Sequence, residues 1–542
     1  MQGFIPSMCR PLQNPVFLLA LAAALIAVVA QSGELGSADT QHRLQSAHSF
    51  WTSEPPVFPA EYPEFGIHGR NGSLQSWYGI GQSLLMLPFD IVGTYIEGLP
   101  IFADYNGNDP SVRNIFVSYS VNILLNVLTA LVYLRFLSLL SFSLRQCVFG
   151  ALALLLLSTH LHYTQNMMEN NYICLLTLCG FTYQLDWLMT YRTRSLLIGS
   201  CAFGLNLLTR LTTGLDLLAG MLLILLVLIF ERVRGQAFWK RVKNYALVTV
   251  PIYAVFGIFD RLYQYHRFGS FFNTYVAVVA REARQRNPSL PSNYPFETPF
   301  HVGFFGAWFS REKSIFLFDP LLILMLFLMV IAWRRFNPSV RAYIITSLIM
   351  LLGYICFYAR YTVWSGDFAW GDRYVSTAAE LGSLLAIPLS LKYFREMNLV
   401  SKIASVMLIG TSAAIQAASL AFWLPLEIYQ RTLLGPRFVI GLRFENIAAF
   451  ALGKMESWGL FTNSITNDPW DYVHITCWNF LPFLLGRVGA APAWVVHLSL
   501  SAWLAALAIL VWVLWRLYKV LAKEDTPFEG LEQQLFEEAT PR

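Results

Sequence analysis

Trp364-Ser-Gly-Asp-Phe-Ala-Trp-Gly-Asp-Arg-Tyr374 is a polar and aromatic stretch held between two long apolar runs, 340–361 and 375–392. A helix needs roughly 20 apolar residues to cross a bilayer, and both runs are near that length. Further apolar runs fall near 15–31, 79–98, 113–134, 144–162, 170–190, 195–212, 214–230, 244–262, 314–333, 401–424 and 491–516. Of 542 residues, 56% are hydrophobic and 13% charged, about half the charge of a soluble domain. The expected fold is an all-α polytopic membrane protein, with about twelve to thirteen transmembrane helices, outer-face loops and juxtamembrane helices. A membrane core over 1–424 is expected, then an extracytoplasmic region or small cap over 425–490. A last helix over 491–520 and a charged cytoplasmic tail over 521–542 follow.

Lys and Arg mark cytoplasmic connections. Five connections are basic: 191–194, 231–243, 334–341, 392–402 and the segment from Trp515. They alternate with longer loops, 32–78, 263–313, 363–374 and 425–490, that are richer in aromatics and acids. The run 79–98 would break this parity if it crossed. It holds Gly79, Gly81, Pro88, Asp90 and Gly93, which weaken a straight helix, and it is expected to lie along the outer interface. Both termini are then cytoplasmic, and Asp39, Glu169, Arg210 and 364–374 share the outer side.

The net charge of +5 needs no nucleic-acid partner. No Gly-rich phosphate loop of the nucleotide or dinucleotide type is present. The seven cysteines are odd in number, lie mostly in apolar runs and lack metal-type spacing, so they read as packing residues. Asn71-Gly-Ser73 fits a glycosylation acceptor pattern that matters only in a eukaryotic secretory setting.

Several stretches, taken in order, resemble the membrane-embedded glycosyltransferases of the C-type superfamily. Nearest are the prokaryotic relatives of protein mannosyltransferases and the lipid A aminoarabinose transferases. The stretches are Gly33-Glu-Leu-Gly-Ser-Ala-Asp39-Thr-Gln-His-Arg after the first run, and Trp77-Tyr-Gly-Ile-Gly-Gln-Ser-Leu-Leu-Met-Leu-Pro88-Phe. Phe268-Gly-Ser-Phe-Phe-Asn-Thr-Tyr275, Phe309-Ser-Arg-Glu-Lys-Ser-Ile-Phe-Leu-Phe-Asp-Pro320 and 364–374 complete the set. The resemblance implies a polyprenyl-phosphate-linked sugar donor, a saccharide, lipid or protein acceptor, and a place in the bacterial inner membrane. It requires no cofactor. Many members carry two adjacent acids after the first span, whereas here Asp39 stands between Ala38 and Thr40, with Glu34 a weaker rival.

Such transfer needs a base for the acceptor, cations for the leaving phosphate and surfaces that orient the sugar. Asp39 is the expected base; its plainer role is a loop acid or helix cap. Glu169 is the expected second carboxylate; its plainer role is a helix-start acid favoured by the helix dipole. Arg210 ends a run too short to cross fully, so it sits at or below the outer boundary, where a charge is costly unless paired or functional. It is an expected phosphate clamp, with Asp216 as the plainer partner. Arg373 follows the same logic, beside Asp372, with Lys313 ranked below it. Asp367, Asp372, Tyr374 and the tryptophans Trp364 and Trp370 are expected to shape the substrate site, unless the tryptophans are interface-belt residues. Arg281, Arg284 and Arg286 read as a solvated helix face. A divalent metal at His160 and His162 with Glu169 is the weaker expectation, because residues two apart on a helix face different ways. A transporter or flippase of lipid-linked saccharides, or a non-catalytic scaffold, are the rival classes. Charges gathered at one face and the absence of repeated halves disfavour transport.

Overall fold

The computed structural model describes residues 11–105, 107, 110–422, 424–434, 438–452, 478–488 and 491–523. The tail beyond 523, and Trp458 and Trp470, lie outside them. Helix α1 (Pro15–Ala30) leads to α2 (Ala38–His48) and a two-stranded antiparallel ribbon, β1 (Gly66–His68) with β2 (Leu74–Ser76). Then come α3 (Gly81–Glu97), α4 (Val112–Leu139), α5 (Leu144–Leu157), α6 (His160–Gln165), α7 (Asn170–Thr190) and α8 (Thr193–Thr209). Helices α9 (Gly214–Phe230), α10 (Gly235–Phe268), α11 (Tyr275–Arg286), α12 (Phe300–Phe309), α13 (Ile315–Phe318), α14 (Pro320–Ala332) and α15 (Pro338–Tyr358) follow. The chain closes with α16 (Ser376–Ser383), α17 (Ala386–Tyr393), α18 (Leu399–Ser419), α19 (Leu424–Leu434), α20 (Val439–Leu452), α21 (Leu481–Val488) and α22 (Ala493–Lys523). The protein is an all-α polytopic membrane protein.

Among the described residues, six helices are long and apolar enough to cross a membrane: Val112–Leu139, Leu211–Phe230, Gly235–Phe268, Pro338–Tyr358, Leu399–Ser419 and Ala493–Ala522. The sequence suggested more. Besides the run 144–162, which breaks at Ser158 between α5 and α6, two expected spans are broken in the structure, and these two breaks have causes. The run 314–333 stops at Asp319, because Pro320 has no N–H and opens α14 at its first position. The run 375–392 splits between α16 and α17. The tyrosine hydroxyls of Tyr343 and Tyr133 donate to the Leu381 and Leu384 carbonyls around that break, as a backbone shielded from water requires. A further difference is α10, which begins at Gly235. It takes Lys240, Arg241 and Lys243 into the helix where the sequence suggested a basic connection.

Helix α7 forms the centre. It packs on α4, α8, α9 and α16 and is buried along nearly its whole length. A helix covered on all sides by protein can carry Gln184 and Asp186, and these are held by Tyr245, Tyr253, Arg135 and Ser195. Helices α10 and α22 lie at the margin and expose Leu247, Val250, Ile258, Leu504 and Val511, as lipid-facing helices do.

The basic connections meet one another. Asn337 Nδ2 donates to the Leu140 carbonyl at 3.0 Å, the Tyr393 hydroxyl donates to the Arg335 carbonyl at 3.1 Å, and Arg335 pairs with Glu396. Arg241 lies 5.2 Å over the Tyr191 ring. Helix α3 belongs to the opposite end. Ser83 Oγ in its first turn donates to the Arg43 carbonyl at 2.8 Å, and Asp90 farther along pairs with Arg113 at the start of α4. Ser118, one turn on in α4, donates to Gln31 at the end of α1 at 2.5 Å. The first turn and the middle of α3 thus stay where α1 stops.

Candidate active site

At that end, Ser37 caps α2 by accepting from Thr40 N at 3.3 Å, which places Asp39 in the first helical turn. The helix is pressed against the 166–168 segment, and Thr40 Oγ1 donates to the Met167 carbonyl. Gly36, at φ 79°, allows this approach; a Cβ there would overlap the Asn166 backbone.

The Asp39 carboxylate has two donors. The Tyr78 hydroxyl reaches Oδ1 at 2.7 Å and Arg373 Nη1 reaches Oδ2 at 2.8 Å. Loop 364–374 is thereby joined to the first loop across most of the chain. Arg373 also donates to the Tyr374 hydroxyl at 3.1 Å, and its own carbonyl accepts from Asn170 Nδ2 at 2.8 Å. Tyr374 stacks on Tyr358 at 4.6 Å. The guanidiniums of Arg210 and Arg373 lie 5.3 and 5.0 Å from the Tyr374 ring.

Glu169 stands at the start of α7 between two arginines. It pairs with Arg210 through Oε1, and Arg43 Nη1 lies 2.7 Å from its Oε2. Its side chain is 4% exposed. Burial would push this carboxyl up, but Arg43, Arg210 and Arg373 together outweigh burial and hold it well below the usual carboxylate range. Asp216, the other partner weighed for Arg210, instead accepts from Thr177, Asn206 and Tyr354 at 2.7, 3.0 and 2.7 Å. Breaking a buried pair leaves charge uncompensated, so Glu169→Gln is expected to cost about 3–5 kcal/mol. Thermal unfolding in detergent measures this.

Arg43 and Tyr78 were missed in the sequence. Arg43 lies one turn after Asp39 on the same helix face, and its guanidinium sits 4.4 Å over the Tyr78 ring. That spacing was the available signal. Arg267 fixes Tyr78 from the other side by donating to the carbonyls of Ser76 and Tyr78 at 2.5 and 2.9 Å. Within the cluster, Arg43 Nε and Arg373 Nε are buried without a hydrogen-bond partner. Three guanidiniums meet two carboxylates in these pairs, a formal surplus of one positive charge.

The remaining expected site residues lie apart from this cluster. Lys313 Nζ donates to the carbonyls of Asp367, Ala369 and Gly371 at 2.5, 2.7 and 3.1 Å, which staples loop 364–374 from beneath. Trp370 is 2% exposed. It packs on Phe318 and on His162, with ring centroids 5.0 and 5.6 Å away, and Arg443 lies 5.5 Å over its ring. Buried Arg443 pairs with Glu427, so α19 and α20 of the 425–490 region dock on this loop. Trp364 covers Gly306 of α12. Asp367 is exposed, at φ 56°. Arg284 donates to the Ala280 and Ser292 carbonyls at 3.2 and 2.7 Å, and Arg286 lies 5.2 Å over the Tyr62 ring. His160 and His162 diverge: His162 stacks on Trp370, while His160 faces Asn126 and Glu380.

Asp372 and Lys313 influence each other. Burial pushes the Asp372 carboxyl up to about 7, with the Lys313 charge opposing. Burial pulls the Lys313 ammonium down to about 8, with Asp372 opposing. The folded chain therefore binds the Asp372 proton more tightly than the unfolded one. The contribution of Asp372 to stability falls as pH rises from its ordinary value of 3.8 to about 7, then stays level. The unfolding temperature of wild type minus that of Asp372→Asn is expected to decline across that window. A flat difference would remove the raised carboxyl.

No family model matches the chain, and no curated protein matches it. Among solved structures, the chain is similar to the oligosaccharyltransferase of Archaeoglobus fulgidus in its apo form, at 13% identity and a TM-score of 0.43. The match covers 74% of this chain and 55% of that one, so the chain spans about half the length of the archaeal protein. The complex of Archaeoglobus fulgidus AglB with an inhibitory peptide and a dolichol-phosphate matches with the same values. ArnT from Cupriavidus metallidurans, in the apo state, is 12% identical with a TM-score of 0.41, over 91% of this chain and 76% of that one. At these values the likeness carries no argument, and the chemistry has to come from the residues of this chain.

Proposed function

We propose that the protein is an integral membrane glycosyltransferase that moves a sugar from a polyprenyl-phosphate donor to an acceptor at the extracytoplasmic face. The observation that carries this reading is the cluster at Asp39: two carboxylates, Asp39 and Glu169, among three guanidiniums, a formal surplus of one positive charge. A sugar linked through a phosphodiester brings one negative charge, which neutralises the surplus. Guanidiniums suit phosphate oxygens because their N–H groups form a planar fork.

The step balances on these residues. The acceptor hydroxyl or amine gives its proton to Asp39 as its oxygen or nitrogen bonds to the anomeric carbon. The bond from that carbon to the phosphate oxygen breaks, and polyprenyl phosphate leaves with an added negative charge. Arg43, Arg210 and Arg373 stabilise that charge where it develops. Arg373 must turn from Asp39 toward the phosphate, which frees Oδ2 to take the proton. Glu169 acts as the counter-ion that keeps Arg43 and Arg210 in place, because a carboxylate held so far below its usual range is a poor base. Tyr78 orients Asp39 through Oδ1.

A polar cavity of about 620 Å³ adjoins α2, lined by Gln41, His42, Gln45, Glu61, Glu97 and Tyr105. Its hydrogen-bonding groups suit a hydroxylated acceptor approaching along the helix that carries Asp39. The test uses purified protein in liposomes loaded with a polyprenyl-phosphate sugar labelled in the sugar. Label joined to a saccharide, lipid or peptide acceptor supports transfer. Labelled donor that crosses the bilayer intact, without bond cleavage, would assign the chain to transport instead.

A further inference from the structure

About one helical turn inward from the charged cluster lies a second group of side chains that the transfer chemistry does not use. His160 opens α6, Cys174 lies in the first turns of α7 and Glu380 lies in α16. They are 0%, 0% and 1% exposed. His160 Nδ1 is 3.3 Å from Glu380 Oε1, and Cys174 Sγ is 3.7 Å from the same oxygen. One ligand atom from each residue lies within 4.8 Å of the others. A tetrahedral zinc ion with ordinary bond lengths would set its nitrogen and carboxylate ligands about 3.3 Å apart, and its sulfur and carboxylate ligands about 3.5 Å apart.

The histidine is also held as a metal ligand is held. Its Nε2 lies 3.0 Å from Asn126 Oδ1. With the Asn126 amide oriented as in the structure, that oxygen accepts, so Nε2 carries the proton and Nδ1 presents a bare lone pair. Nδ1 is buried without a hydrogen-bond partner, facing a carboxylate oxygen and a thiol. A fixed outer nitrogen is the usual support of a metal-bound imidazole.

We propose that His160, Cys174 and Glu380 bind a zinc ion. A neutral imidazole, a soft thiolate and a carboxylate suit zinc, a borderline-soft ion, among divalent ions. The thiolate and carboxylate also cancel its charge, as a low-dielectric interior demands. Binding releases the Cys174 thiol proton to solvent, and three protein ligands leave one position for water. The ion ties α6 to the two helices that begin beside Glu169 and just after Arg373, so it fixes the spacing of those two residues.

The full chain, purified in detergent, is stripped with chelator, reloaded with zinc or cobalt and assayed for bound metal and absorption. One zinc per chain is expected, with a sulfur-to-cobalt charge-transfer band in the cobalt form. Both should be lost in Cys174→Ser, and metal affinity should fall 10-fold or more in Glu380→Gln. Both should persist in Cys179→Ser and Cys201→Ser, whose thiols lie outside the group. A wild-type chain that retains no zinc and shows no sulfur band overturns the proposal, as does undiminished binding in folded Cys174→Ser. If Cys174→Ser does not fold, the wild-type spectrum together with that of Glu380→Gln decides. Metal content is read without any sugar transfer, so this result stands apart from that of the liposome assay.

Discussion

Asp39→Asn is expected to lower the turnover of sugar transfer by about 10²–10⁴-fold, the range that a positioned general base contributes. Binding of the donor should stay close to wild type. The amide keeps the shape and still accepts from Tyr78, so the loss falls on proton removal and not on the architecture of α2. The ion pair between Asp39 and Arg373, 2.8 Å long, sharpens this expectation. In wild type, the donor phosphate must draw Arg373 away from Asp39 before the carboxylate can act. In the variant that competition is gone, so KM should hold or fall while kcat collapses. A KM that holds marks an interaction made only in the transition state, and a KM that falls as well marks relief of the Asp39–Arg373 competition in the ground state. Undiminished turnover in a folded variant would move the base elsewhere, with Glu34 the next acid in that loop.

Arg373→Ala is expected to lower turnover by about 10²–10³-fold, as removal of one donor to a developing oxyanion does. Its position sets this expectation. Arg373 is the arginine that touches the proposed base, and its Nε is buried without a hydrogen-bond partner. Unlike Asp39→Asn, this change should also weaken donor binding, since the phosphate is already charged in the ground state. Arg373→Lys should recover part of the loss, because the charge returns but the planar fork does not. If Arg373→Ala and Arg210→Ala were both silent in folded protein, the phosphate cradle would not exist as described.

Much of the arrangement was legible because charge is rare in this chain. Arg210, Glu169 and Arg373 stand at the ends of apolar runs, where each charge calls for a partner. The parity of basic connections put them on one side, and the structure joins them to Asp39. Arg43 was hidden in α2, a polar helix where only its spacing from Asp39 sets a functional arginine apart from a solvated one. Lys313 and Trp370 drew notice for their residue types, yet the fold uses them to pin loop 364–374 from below and from the side of α20. The breaks at Asp319 and between α16 and α17 lie inside apolar runs. Hydroxyl partners from other helices, Tyr133 and Tyr343, satisfy the carbonyls at the second break, and no local pattern announces them. The meeting of His160, Cys174 and Glu380 was out of reach for the same reason: helices far apart in sequence bring these residues together, and spacing along the chain carries no trace of it.

The donor phosphate is expected in one place, the space among Arg43, Arg210 and Arg373 beside Asp39. The most direct measurement is an experimental structure of the protein with polyprenyl phosphate bound in a lipid nanodisc. Phosphate oxygens are expected within hydrogen-bond distance of those three guanidiniums, with Arg373 turned from Asp39 and the carboxylate left facing the acceptor side. A phosphate bound elsewhere, with the Asp39–Arg373 pair intact beneath it, would contradict this expectation.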